Sequence, residues 1–223
     1  DLHSFPTRRS SDLEPDAAEY TAVPQAYRQT GDYSEVLNAA YTPAGSRNLA
    51  EPAITVTHAD GNTSLDLRYV EHSKKDEGTD VTVYTITLKD PAYPFQVKLF
   101  YKVYKKDDVI EQWSVISHEE KGNVTLQKYA SANLHLKARE YWLTQYHGDW
   151  AKEMQPEESR ITHGIRTLDS KLGTRTNLFQ PSVFMVSLDK PSEEEAGKVL
   201  YGAMEWSAGS RSEERRVGKE CRS

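Results

Sequence analysis

The chain has 223 residues, a formal net charge of -6, 37% hydrophobic residues and a single cysteine. An acidic surface excludes nucleic acid and anionic membrane as partners, since both are held by clustered Lys and Arg. One thiol leaves no disulfide within the chain and no Cys-ligated metal, and no apolar run approaches the ~20 residues of a membrane-spanning helix.

The two ends read as one artefact. Back-translated, "RSEERRVGKECRS" (Arg211 to Ser223) has a reverse complement that encodes "DLHSFPTRRSSDL", Asp1 to Leu13 letter for letter. That DNA resembles a sequencing-library adapter. Residues 1–13 and 211–223 are therefore expected to be disordered translated adapter and are excluded from the fold. The remaining 14–210 form one domain of ample length to bury a core. Removing the tail's net +2 leaves that insert at -8, without any cysteine. The natural N-terminus is expected to be missing, so bacterial cytoplasm and periplasm both stay open.

Residues 14–50 are polar and rich in Ala and Tyr, with at most a helical turn at "SEVLNAAY". From Ala53 the pattern turns to β. "AITVTH" is a strand, Asp60-Gly61-Asn62 a turn, and "SLDLRYVEH" a second strand with Leu65, Leu67 and Tyr69 on one face. "KKDEGTD" is a loop by charge and glycine. "VTVYTITL" is almost all β-branched, and a shift between Val83 and Ile86 points to a bulge or two buried faces. "FQVKLFYKVYKK" alternates cleanly, Val97, Leu99, Tyr101 and Val103 against Gln96, Lys98 and Lys102. "DVIEQWSVIS" is its hairpin partner. "GNVTLQKYASANLHL" supplies one or two strands, and further strands are predicted at "YWLTQY", "RITHGI", "SVFMVSL" and "KVLYGAMEWS". Short alternating strands without intervening helices predict an all-β fold, a large antiparallel two-sheet sandwich.

Candidate chemistry is sparse. His58, His72, His118, His135, His147 and His163 show no metal-ligand spacing, so no metal and no cofactor is expected. Asp149 with Glu153, and Glu193-Glu194-Glu195, could in principle supply the acid and base of glycoside hydrolysis, but nothing raises either carboxyl, and the Glu run reads as a solvated loop. "YWLTQYHGDW" concentrates Tyr141, Trp142, Tyr146 and Trp150. Such aromatics either stack on pyranose faces or fill the space between sheets, and filling is the commoner use.

Taken in order, several stretches resemble the N-terminal domain of glycoside hydrolase family 36, the α-galactosidases. They are "NLAEPAITVTHADGNTSLDLRY", "VKLFYKVYKKDDVIEQWSVISHEEKGNVTL", and Leu143, Gly148, Trp150 and Glu153 in "LTQYHGDWAKEMQPEESRITHGI". Gly173, Thr176, Pro181 and Phe184 in "SKLGTRTNLFQPSVFMVSL" and the strand "YGAMEWS" complete the set. Gln112, where the family often has Arg, and Ala208 depart from the pattern. The resemblance implies a β-supersandwich that precedes a (β/α)8 barrel. In the family that barrel carries two Asp residues working by the retaining double displacement, so no catalytic residue is expected within these 223 and the fragment is expected to be inactive. It implies a homo-oligomer, an α-galactoside substrate, and partnership with the chain's own barrel. It also implies a loop, Gly45 to Glu51, reaching a neighbouring subunit's active site with Arg47 and Asn48 as sugar contacts, although the family commonly has Asp-Phe-Arg where this chain has Asn48-Leu49-Ala50. An α-N-acetylgalactosaminidase of the same family and a non-catalytic carbohydrate-binding sandwich are the alternatives.

Overall fold

The computed structural model describes residues 39–45, 51–162, 164–168, 180–193 and 196–205. Arg47, Asn48, His163, Glu194, Glu195, both adapter-like ends and most of "SEVLNAAY" lie outside the described residues. Among the described residues there is no helix, and ten strands run in chain order. They are β1 (Ile54–Thr57), β2 (Arg68–Asp76), β3 (Val81–Lys89), β4 (Phe95–Tyr104), β5 (Val109–His118), β6 (Thr125–Tyr129), β7 (Tyr141–Asp149), β8 (Lys152–Ile161), β9 (Val183–Glu193) and β10 (Ala196–Ala203). Every paired strand is antiparallel.

The sequence predicts two sheets, and the described strands form three: β2-β3-β4-β5, β10-β9-β7-β8, and a two-stranded β1-β6. The meander β2 to β5 follows the predicted pattern most closely. Phe95, Val97 and Leu99 of β4 are buried, while Gln96 and Lys98 between them are half-exposed. Opposite Val97 stand Leu88 and Ile116, and opposite Leu99 stands Ile86. These side chains meet Ile54 and Val56 of β1, with Leu65, Phe95 and Tyr41, in the main core. The short β1-β6 pair is thus the second layer over this half of the meander. Each fully buried aliphatic there contributes about 1.5–3 kcal/mol relative to leaving it in water.

Several local expectations change. The Asp60-Gly61-Asn62 turn forms, with Gly61 at φ 87, a left-handed value glycine adopts without penalty. It does not close a hairpin, because β1 pairs with β6, not β2. Leu65 is fully buried yet precedes β2, which starts at Arg68 and runs on through Lys74–Asp76, placed in a loop by their charge. The bulge expected in β3 lies in β2 instead, between Tyr69 and Glu71. Pairing of β3 with β4 is unbroken, so the β-branched run of β3 reflects partial burial of both faces. β8 begins earlier than "RITHGI" suggests and carries Pro156, tolerated because β8 is an edge strand.

The β7-β9 sheet is tied to the segment before it through polar contacts. The Tyr141 hydroxyl donates to the Leu136 carbonyl at 2.7 Å and accepts from the Ala138 amide at 2.8 Å. The Asp189 amide donates to the Glu140 carbonyl at 2.9 Å, and the Asp189 carboxylate accepts from the Arg139 amide at 2.8 Å. Leu143, Thr144, Val186 and Ser187 are the buried positions of this sheet.

Candidate functional site

The structure separates the four aromatics of "YWLTQYHGDW" by role. Trp142 and Tyr146 share one face and Tyr141 takes the other, as alternation requires. All three are half-buried, and the Tyr146 hydroxyl reaches the Met185 sulfur at 3.7 Å. They fill space in the sheet. Trp150 stands apart at the tip of the β7-β8 hairpin, 85% exposed. Asp149 accepts the Trp150 amide at 2.7 Å, and Ala151 and Met154 take positive φ of 62° and 54°. Two left-handed non-glycine residues and a register break between His147 and Asp149 give the tip a defined, strongly turned backbone.

Beside this tip, Glu157 accepts from Gln145 at 3.2 Å and contacts His147 Nε2 at 2.6 Å. Donation from Gln145 first, then His147, holds the Glu157 carboxyl below its ordinary range. The cluster is solvent-exposed, and Asp149 and Glu153 sit on the same open hairpin. A convex, hydrated tip does not offer the paired carboxyls in unlike environments that hydrolysis needs.

The densest polar cluster was not read from the sequence. His58 is fully buried, with Nδ1 2.7 Å from Glu120 and Nε2 3.1 Å from the Ser64 carbonyl. Its ring stacks on Tyr93 at 3.7 Å, and the Tyr93 hydroxyl donates to Asp60 at 2.8 Å and accepts from Asn62 at 2.8 Å. Both neighbours of the imidazole are acceptors, so each ring nitrogen has a partner in place. Burial pushes the Glu120 carboxyl up, but donation from the Ala59 amide and from His58 outweighs it and holds the carboxyl below its ordinary value. With both ring nitrogens engaged and no exposure, His58 is a clasp joining the loops after β1, β3 and β5.

The other histidines stay apart. His72 contacts the Tyr69 hydroxyl at 2.6 Å, and His135 contacts the Ala39 carbonyl at 2.9 Å. Among the described residues no three His, Cys, Asp or Glu side chains converge as metal ligands.

The model of the glycosyl hydrolase family 36 N-terminal domain aligns with residues 4–216. The chain belongs to that family. Among curated relatives of this family 36 domain, α-galactosidase C of Emericella nidulans is 27% identical over 164 residues, covering 68% of this chain and 22% of its own length. α-Galactosidase 2 of Pediococcus pentosaceus is 27% identical over 180 residues, covering 75% of this chain and 25% of its own. The crystal structure of the Geobacillus stearothermophilus family 36 α-galactosidase AgaB superposes with a TM-score of 0.66 at 22% identity, over 74% of this chain and 24% of its own. A variant of AgaA from the same organism, in complex with raffinose, gives 0.68 at 20% identity over 86% and 27%. The β-sandwich is thus common to these proteins, and this family 36 domain spans about a quarter of the length of the relatives it matches.

Proposed function

We propose that this domain belongs to an α-galactosidase that releases terminal α-D-galactosyl groups from oligosaccharides. The observation that carries the reading is the family match over residues 4–216 together with α-galactosidase relatives of which this chain covers about a quarter. On this reading the chemistry lies in a (β/α)8 barrel beyond the sandwich. One Asp there attacks the anomeric carbon to form a glycosyl-enzyme, and a second protonates the leaving oxygen and then activates water. The sandwich packs on that barrel and supports a homo-oligomer. Arg47 and Asn48 contact the galactoside bound by a neighbouring subunit. Residues 1–13 and 211–223 are translated adapter.

The purified chain is expected to release no nitrophenol from an aryl α-galactoside, whereas the source locus read through Gly209 encodes barrel strands ending in two Asp residues. Turnover by the chain itself, or a stop codon directly after Gly209, overturns the reading. The exposed Trp150 favours one competitor, a non-catalytic sugar-binding sandwich. Millimolar or tighter galactoside affinity that disappears in Trp150→Ala would establish that competitor.

A further inference from the structure

Four strands form the edges of the two larger sheets, and three are guarded against pairing with another chain. β2 carries Arg68, Glu71, Lys74, Lys75 and Asp76 and a bulge. β8 carries Pro156 among Glu153, Glu157 and Glu158. β10 is broken in register beside Gly197, at φ 147. β5 has no bulge and one charged side chain, Glu111. Over ten residues, "VIEQWSVISH", it holds no Pro, Lys or Arg, pairs without interruption to β4, and among the described residues has no strand on its other side. Val109, Ile110 and Val115 stand 51%, 58% and 46% exposed along it, and the Gln112 side-chain nitrogen is buried without a hydrogen-bond partner.

We infer that β5 is the contact between two copies of this chain, paired antiparallel about Trp113 so that two four-stranded sheets become one of eight. The inference rests on the homo-oligomer part of the proposed function and names its surface. The choice of a second copy comes from the strand's own complementarity. With Trp113 on the two-fold axis, Ile110 faces the partner's Ile116, apolar against apolar. Gln112 faces the partner's Ser114, polar against polar. Glu111 faces the partner's Val115, so no like charges oppose. Asp108, just before the strand, comes opposite the partner's His118. Shifting the axis to Gln112 or Ser114 opposes Ile110 to a serine or a histidine. Trp113, already stacked on Phe100 at 4.9 Å, would then extend an aromatic row across the axis.

The test is sedimentation equilibrium of the full chain from low micromolar to submillimolar concentration, alongside Val115→Glu and Val115→Lys. Val115 is exposed and faces Lys98 within its own sheet, so both variants fold, as unchanged far-UV circular dichroism will confirm. The wild type is expected at twice 25.3 kDa. Val115→Glu sets a carboxylate against the partner's Glu111 on both sides of the axis and weakens association about tenfold or more. Val115→Lys places an ammonium there and keeps the dimer. A monomeric wild type overturns the inference. A wild-type dimer that Val115→Glu leaves intact also overturns it, while leaving oligomerisation and the family 36 reading standing.

Discussion

Removing the Glu120 carboxylate is the sharpest test of how one end of the sandwich is held. Glu120 accepts from His58 at 2.7 Å and from the Ala59 amide at 2.9 Å, with side chains 0% and 6% exposed across the His58–Glu120 pair. Its removal leaves His58 Nδ1 and the Ala59 amide without their acceptor, at about 1–3 kcal/mol each, or about 4 kcal/mol together. Glu120→Gln keeps an acceptor for Ala59 and loses the charge, so its cost is about 1.5–3 kcal/mol. With a urea slope of about 2 kcal/mol/M, Glu120→Ala lowers the midpoint by about 2 M and Glu120→Gln by about 1 M at unchanged slope. In a cycle with His58→Ala, the two losses overlap by about 1–3 kcal/mol because they remove the same contact. The pH dependence has a definite sign. The folded carboxyl lies below its ordinary 4.5, so its contribution is full above that value and is lost as pH falls through the folded value. Glu120→Gln removes that acid-side loss. Full additivity of the two mutations, or a midpoint shift under about 0.3 M for Glu120→Ala, would refute the clasp.

Three further outcomes follow from local geometry. Gly45→Ala places a Cβ 2.6 Å from the Ser64 backbone at φ +86, so it lowers the thermal midpoint, with a cost of about 1–3 kcal/mol; an unchanged midpoint would contradict the close approach. Tyr141→Phe removes the hydroxyl shared by Leu136 and Ala138, costs about 1–2 kcal/mol, and raises hydrogen exchange at the Ala138 amide. Trp150→Ala changes stability by less than about 0.5 kcal/mol and removes an iodide-quenchable indole emission; a larger loss would mean that the indole packs against something.

The meander was legible because β4 obeys a period of two with charged partners, and because a polar turn separates it from β5. Two of the edge strands were only partly legible. The second half of β2 and β8 up to Glu158 are exposed, so their backbones pair while their side chains show no hydrophobic period. The β1-β6 pair escaped because nothing in "ITVT" names a partner about seventy residues on. The candidate site divides the same way. Sequence marked "YWLTQYHGDW" as unusual and favoured filling, which Tyr141, Trp142 and Tyr146 do, but the exposure of Trp150 depends on a hairpin tip that only backbone geometry fixes. His58 and Glu120 lie 62 positions apart, and their meeting is a product of the fold. Arg47 and Asn48 lie outside the described residues, so their role stands as proposed.

The pairing of β1 with β6 also sets an order of assembly. Ile54 cannot find Tyr129 until the ribosome has added the 75 residues from Thr55 to Tyr129, about 4–15 s at ordinary elongation rates. The β3-β4-β5 hairpins, whose contacts are local, form ahead of that pairing. A nascent chain whose β6 has not yet emerged from the ribosome therefore carries a meander whose apolar face, Val97 and Leu99 included, still awaits its lid. That intermediate is where a chaperone would bind and where slow translation would do most harm.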